Sequence, residues 1–372
     1  MPEFIPPFSL ARQNASVGPA VAAAVQRVLA SGRYVQGPEC AAFESEVTAA
    51  ALSDGRQPGV EAVTCSSGTD ALHLALRAVG VGPGDVVLTT AFSFFATAGA
   101  IILAGAKPEF VDTDPASYNI APAALAAALQ RPRRERIGAI LPVHLYGRLA
   151  DMPAILHLAD AGEIPVVEDA AQALGASLDG RPAGAWGAAA AFSFYPTKNL
   201  GALGEGGLVT SRDPAVLDRL RLLRAHGSRR RYEHETMGWN GRMQEMQAAI
   251  LRAKLPHLRG WIRRRREIAA QYEKGLRGLE GISLPERVPG HGFHQYVIGV
   301  RDRDAVRARL EERQIGTEIY YPTPLHQQPA LRAYAPGAAL PHAEAASREV
   351  LALPMYPELE SEEIERVIEA LR

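Results

Sequence analysis

AFSFYPTKNLGALGEGGLVTS, residues 191–211, decides how the rest of this chain is read. An apolar, strand-like run leads into Lys198, which sits in a loop with glycines at 201, 204, 206 and 207. This is the setting expected of an amine that holds an aldehyde cofactor. The glycines would let the backbone pass a flat ring without side-chain clashes. A solvated loop lysine is the plainer alternative. Against it stands VVEDAAQALGA, residues 166–176, which places Asp169 at the end of another apolar run. A pyridoxal phosphate enzyme needs an amine to form a Schiff base and a carboxylate to keep the pyridine nitrogen protonated. Lys198 and Asp169 are candidates for these two roles. Ser193, at the end of AFSF, would reach the phosphate of a cofactor bound at the same edge.

The surrounding pattern supplies such an edge. The runs VEAVTC (60–65), DVVLTT (85–90), PEFVD (108–112), IGAILPV (137–143), IPVVED (164–169), AAAFSF (189–194) and GGLVT (206–210) read as strands. Between them lie helical patterns such as TDALHLALRAVG (69–80), TAGAIILAGA (97–106) and DMPAILHLADAG (151–162). Many of the strand runs are continuously apolar, as expected for strands covered on both faces. The β-α-β order predicts an α/β fold with a mainly parallel sheet flanked by helices. Ligands in open sheets of this kind gather at the carboxyl ends of the strands, where Asp169 falls. Along an extended strand Glu168 must face the other side. The bland alternative for Asp169 is the cap of an AAQAL helix. Gln172, shortly after it, would reach the same pocket and hydrogen-bond a phenolic oxygen.

From residue 242 the pattern turns to long helices, then to a smaller α+β portion. In that portion QYVIGV (295–300) reads as a strand and DAVRARLEERQI (304–315) as a helix. YYPTPLHQQPA (320–330) is proline-broken and is predicted to be a loop. The expected division is a large domain over 14–250 and a small one over 251–372, with residues 1–13 packing near the latter.

Two further segments bear on a ligand. In SSGTDALHLAL (66–76), Ser66, Ser67, Gly68 and Thr69 follow a strand and open a helix, where free N–H groups and hydroxyls favour an anion. A cap formed by Ser67 or Thr69 with nothing bound is the competing reading. In AFSFFATAGAI (91–101), two of Phe92, Phe94 and Phe95 are expected in the core, and one to stack on a flat heteroaromatic ring.

The 372 residues suffice for two domains with a sizeable core, and 47% are hydrophobic. A formal net charge of −1 gives no general reason to expect nucleic acid or an acidic membrane as partner. The basic run in WIRRRREIAA (261–270) reads as a solvated helix face. Two cysteines, Cys40 and Cys65, are too few for a disulfide scaffold or a structural zinc site, and no metal is expected. The N-terminal MPEFIPPFSLAR lacks the pattern of a signal peptide, and no apolar run is long enough for a membrane span, so a cytoplasmic location is expected.

Taken together and in order, SSGTDALHLAL, AFSFFATAGAI, PVHLYG, VVEDAAQALGA, AFSFYPTKNLGALGEGG, GWNGRMQEMQAAILRAKL and YYPTPLHQQPA resemble the DegT/DnrJ/EryC1/StrS family. Its members are pyridoxal phosphate-dependent aminotransferases acting on nucleotide-linked ketosugars. The resemblance implies a fold-type-I enzyme with a seven-stranded sheet, a smaller C-terminal domain and a homodimer with shared active sites. It implies that Lys198 carries the cofactor, Asp169 pairs with the pyridine nitrogen, Gln172 lies by the ring hydroxyl and Phe94 stacks on the ring. Gly68, Thr69 and Ser193 would hold the phosphate, with Asn240 reaching in from the partner subunit. Tyr320, Tyr321 and His326 would belong to the sugar pocket, and Arg229 and Arg231 would meet the nucleotide diphosphate. L-glutamate is the implied amino donor. The HGSRRRYEHETMGWNGRM segment looks closest to relatives that aminate 3-ketohexoses on dTDP or UDP. Amination at C4 and a non-catalytic regulator on the same fold are the alternatives. Glu205 stands where many relatives carry aspartate. Relatives that dehydrate sugars have histidine in place of Lys198.

Overall fold

The structure, a computed structural model, describes residues 3–53 and 59–372. All seven predicted runs form strands: β1 (Glu61–Cys65), β2 (Val86–Thr90), β3 (Lys107–Val111), β4 (Ile137–Leu141), β5 (Val167–Asp169), β8 (Ala189–Ser193) and β9 (Gly207–Ser211). A short hairpin of β6 (Ser177–Leu178) and β7 (Arg181–Pro182) separates β5 from β8. One ladder runs β1-β9-β8-β5 and a second runs β3-β2-β4. Isolated parallel bridges, Ile140 with Val166 and Val143 with Asp169, join the two. Every pairing across this surface is parallel except those of β9, which is antiparallel to both β1 and β8.

Side chains alternate between two cores, as the period of a strand requires. Val63, Ala191 and Val209 pack with Leu72, Ala75 and Leu220 from helices α3 (Gly68–Ala78) and α7 (Pro214–Leu223). Those helices are separated in sequence by α4 (Phe95–Leu103), α5 (Pro122–Leu129) and α6 (Met152–Asp160). Ala62, Phe192 and Leu208 face the other way, toward Val21, Phe43 and Leu251. These last three come from α1 (Ala11–Ser31), α2 (Pro38–Ala51) and α8 (Glu245–Lys254). Burial of each such side chain contributes about 1.5–3 kcal/mol, and coverage on both faces explains the uninterrupted apolar runs.

Beyond a turn at Pro256, α9 (Leu258–Leu276) leads to a second, antiparallel sheet of β10 (Ile282–Ser283), β11 (Tyr296–Val300) and β12 (Val350–Leu353). The helices α10 (Arg303–Glu312), α11 (Pro341–Glu349) and α12 (Ser361–Leu371) complete this part. Its core gathers Ile268, Tyr272, Tyr296, Ile298, Leu351 and Ile364, and the N-terminal Ile5 joins it through a bridge to Ile315.

Four local readings are corrected. The basic run of α9 is not a simple solvated face. Arg265 is 5% exposed, and its Nη1 donates to the carbonyls of Phe293, His294 and Met355. Burial lowers its pKa to about 10 against the opposing charge of Glu358. Residues 170–176 form turns, so Asp169 caps no helix; its Oδ1 instead accepts the N–H of Ala171. Of the three phenylalanines only Phe92 is buried, while Phe94 and Phe95 are 58% and 44% exposed. YYPTPLHQQPA is irregular at first but closes into 3-10 turns at Leu325–Gln327 and Pro329–Tyr334.

Candidate active site

A cleft of ≈ 590 Å³ opens where the carboxyl ends of β5 and β8 meet the start of α3. Lys198, Asp169, Gly68, Thr69, Phe94, Gln172, Ser193, Tyr320 and Tyr321 all line it.

Asp169 is held from two sides. Its Oδ2 accepts the hydroxyl of Thr97 at 2.8 Å, and its Oδ1 accepts the Ala171 N–H at 3.2 Å. Thr97 in turn exchanges a hydrogen bond with Ser93. Burial raises the pKa of Asp169, opposed by the Thr97 hydroxyl, the Ala171 N–H and the charge of Lys198. This is a carboxylate held fixed in the cleft wall, with chemistry suited to a cation.

Lys198 stands in a tight loop braced by internal backbone hydrogen bonds. Phe194 N–H donates to Gly206 O, Lys198 N–H to Tyr195 O, and Ala202 N–H to Phe194 O, each at 2.8 Å. Burial lowers the Lys198 ammonium to about 8, and Asp169 opposes the shift. A poised, partly neutral amine is the nucleophile that a carbonyl requires.

The glycines of this loop serve a purpose different from ring clearance. A Cβ on Gly201 would lie 2.2 Å from Pro196 O, and one on Gly207 would lie 2.1 Å from Ser67 O. Side chains at Gly204 and Gly206 would meet Gln247 and Met243. The loop folds against the protein itself, and that close approach demands glycine.

At the start of α3 the cap reading holds for Ser67, whose Oγ accepts the Asp70 N–H at 3.1 Å. Gly68 and Thr69 remain on the cleft side. A Cβ on Gly68 would lie 2.6 Å from Ser193 Cβ, so helix and strand end meet in direct contact. The helix N-terminus with the hydroxyls of Thr69 and Ser193 forms a compact corner suited to an anion.

Gln172 uses both ends of its amide: Oε1 accepts the Tyr146 N–H at 2.6 Å, and Nε2 donates to Tyr321 Oη at 3.0 Å. Phe94 precedes α4 directly, its ring 6.1 Å from that of Tyr321. Glu168 faces away from the cleft. It accepts Nε2 of His144 and the N–H groups of Gly184, Trp186 and Gly187, all within 2.8–2.9 Å.

Four expected residues do not line this cleft in the chain's own fold. His326 is buried against Glu344 at 3.2 Å. Arg229 pairs with Asp218 and Glu235 on the surface, and Arg231 lies over the ring of Tyr232. Asn240 is exposed, its Oδ1 accepting Nε of Arg242. Conversely, Thr97, His294, Gln295, Phe8 and Tyr195 line the cleft without having been singled out. The spacing of Ser93 and Thr97 on a helix start was a readable signal; His294 offered none. Among the described residues no cluster of three metal-capable side chains exists, and no helix is long and apolar enough to cross a membrane.

Comparison with known proteins identifies the family of the chain. Residues 16–372 match the DegT/DnrJ/EryC1/StrS aminotransferase family. A pleiotropic regulatory protein of Geobacillus stearothermophilus is 45% identical, over 99% of this chain and 97% of the relative. The dTDP-3-amino-3,4,6-trideoxy-alpha-D-glucose transaminase of Streptomyces venezuelae is 46% identical, over 94% and 90%. The crystal structure of S. venezuelae DesV superposes with a TM-score of 0.94 at 44% identity, covering 100% of this chain and 98% of that one. Nearly the whole length is matched in both sequence and fold, so the chain belongs to the DegT/DnrJ/EryC1/StrS family and is a fold-type-I aminotransferase.

Proposed function

We propose that the cleft binds pyridoxal 5'-phosphate and transfers the amino group of L-glutamate to a nucleotide-linked ketosugar, a dTDP- or UDP-3-ketohexose. The observation that carries this reading is the meeting of Lys198, softened to about 8, with the buried, doubly hydrogen-bonded Asp169 in one cleft. The residues fit the cofactor: the corner at Gly68, Thr69 and Ser193 suits a phosphate, and the exposed face of Phe94 suits a flat ring. When bound, the cofactor supplies an aldehyde that carries the amino group and a ring that accepts electron density. Asp169 would hold a proton at the ring nitrogen, because a buried carboxylate is stabilised by a neighbouring cation. Lys198 would hold the cofactor through its amine and would serve as the general base for a proton at the donor's α-carbon.

The Streptomyces relative acts on a dTDP-linked 3-amino sugar by its name, which supports a 3-keto substrate and a nucleotide carrier. A homodimer with shared sites is part of the proposal. Phe95 and Leu103 leave apolar surface open on α4, Phe94 and Tyr195 are half-exposed in the cleft, and Asn240 is exposed. Arg229 and Arg231, on the same outward stretch, would meet the diphosphate, and His326 would support the sugar pocket from behind.

The test is a half-reaction screen. Enzyme converted to its amino form with glutamate is offered 3-keto and 4-keto sugars on dTDP and UDP. Return of the visible cofactor band with a 3-keto sugar is expected. Return only with 4-keto sugars would move the reaction to C4. No conversion by glutamate would reject L-glutamate as the amino donor.

A further inference from the structure

Asp70, in the first turn of α3, has no part in the chemistry just described, yet its carboxylate is fully engaged. Its Oδ2 accepts the hydroxyl of Ser66 at 2.9 Å, and its Oδ1 accepts the indole N–H of Trp239. The indole stacks on His73, one helical turn further along α3, with centroids 4.1 Å apart and planes 10° from parallel. On the other side of Asn240, the Gly241 carbonyl accepts the Ser66 N–H at 3.1 Å. A Cβ on Gly241 would lie 2.5 Å from Asp70 Oδ2, so the backbone there runs against the carboxylate. Backbone bonds from Trp239 N–H to Leu223 O and from Gly241 N–H to Arg224 O, each 3.0 Å, pin the same two residues from below. Asn240 is therefore a single exposed residue between two clamped neighbours.

The clamp has a second end. The helix that carries Asp70 begins with Gly68 and Thr69, which line the chain's own cleft. One carboxylate thus ties the anion-binding corner of this chain to the loop that presents Asn240 away from it. We infer that Asp70 is a positioning residue that aims Asn240 into the partner's active site and couples the two sites of the dimer. This rests on the proposed reading that Asn240 completes the cleft of a second copy. A carboxylate holding an indole N–H and a hydroxyl fixes the loop more firmly than neutral bonds would, since charge-assisted bonds are the stronger class.

The experiment uses full-length mixed dimers carrying two affinity tags. Lys198→Ala in one protomer silences its covalent attachment of cofactor, so the visible band reports only the other protomer. In the first dimer the silenced protomer also carries Asp70→Ala; in the second, Asp70→Ala sits in the reporting protomer. The expected result is a cofactor affinity weaker by roughly tenfold in the first dimer, and a smaller change in the second. Asp70→Asn, which keeps an acceptor oxygen, is expected to restore part of the loss. Trp239→Phe, which removes the N–H donor together with part of the ring stacked on His73 but leaves Asp70 in place, is expected to reproduce it and guards against misfolding of the alanine variant. Weakening confined to the second dimer, or no change in either, would overturn the assignment. Asn240→Ala in the silenced protomer provides the separate control. If it leaves the reporting site unchanged, the shared-site reading fails, and the failure does not belong to Asp70.

Discussion

Glu168 and Asp169 are consecutive residues of one buried strand, and their carboxylates point to opposite faces of the sheet with opposite tasks. Glu168 is saturated by His144 and the N–H groups of Gly184, Trp186 and Gly187. Asp169 keeps only the Thr97 hydroxyl and the Ala171 N–H and opens into the cleft beside Lys198. The first carboxylate anchors the strand end; the second remains available for a ligand.

The anchoring role of Glu168 predicts a stability defect. Burial acts most strongly against its charge, yet the His144 bond and the Gly187 and Gly184 N–H groups together hold it below the ordinary carboxylate range. Its stabilisation is therefore present above the unfolded carboxyl pKa and lost as pH falls through the lower folded value. Glu168→Ala leaves three N–H groups and a buried imidazole without an acceptor. The expected loss is about 3–5 kcal/mol, read as a lower urea midpoint at neutral pH. A midpoint within error of wild type would show that the network contributes nothing.

Asp169→Asn keeps the shape of the site and removes the negative charge. The proposed cofactor is expected to remain bound, because the corner at Gly68, Thr69 and Ser193 is untouched. Single-turnover reaction with glutamate should slow by roughly 10²-fold or more, the scale of losing one preorganised electrostatic contact. An unaltered rate would remove the pairing with the ring nitrogen.

The seven strands and the convergence of Lys198 with Asp169 were legible because both follow from periodicity and strand direction. Continuous apolar runs mark doubly covered strands, and period-two geometry separates Glu168 from Asp169 without knowledge of the fold. What was not legible depends on distant packing. Arg265 looks like one more charge on a basic helix until α9 is laid against the carbonyls of Phe293, His294 and Met355. The glycines after Lys198 announce close approach, but the sequence does not say to what; the answer is Pro196, Ser67 and Met243. His294 enters the cleft only because β11 is delivered there by the second sheet.

The contact of Gly68 with Ser193 gives a test of the proposed anion-binding corner. Gly68→Ala places a methyl 2.6 Å from Ser193 Cβ and 2.8 Å from its Oγ, so helix and strand must separate. Overpacking of this kind costs about 1–3 kcal/mol. Both a lower thermal midpoint and weaker cofactor retention on gel filtration are expected. Adding Ser193→Gly should recover the thermal midpoint but not the retention, because the clash is relieved while the hydroxyl is lost. Recovery of neither would show that the two residues do not act as a pair.

The last expectation concerns Lys198 and pH. Burial lowers its ammonium from 10.5 to about 8, with Asp169 pulling the other way. In the cofactor-free protein only the neutral amine attacks an aldehyde, so the rate of cofactor capture should rise with pH and level off above about 8. Asp169→Asn removes the charge that favours the ammonium, which moves the inflection to lower pH. The same shift has a thermodynamic face. Between about 8 and 10.5 the folded chain binds fewer protons at this site than the unfolded chain, so stability must increase with pH across that window. Below it both states are protonated, and the folded protein carries the full cost of the buried charge. Lys198→Met removes that cost at every pH. The urea midpoint of the variant should therefore exceed that of wild type at pH 7, with the gap closing as pH rises toward 10.5. A gap that stays constant would mean that the amine is as well solvated in the fold as in the unfolded chain, and the poised nucleophile would be lost with it.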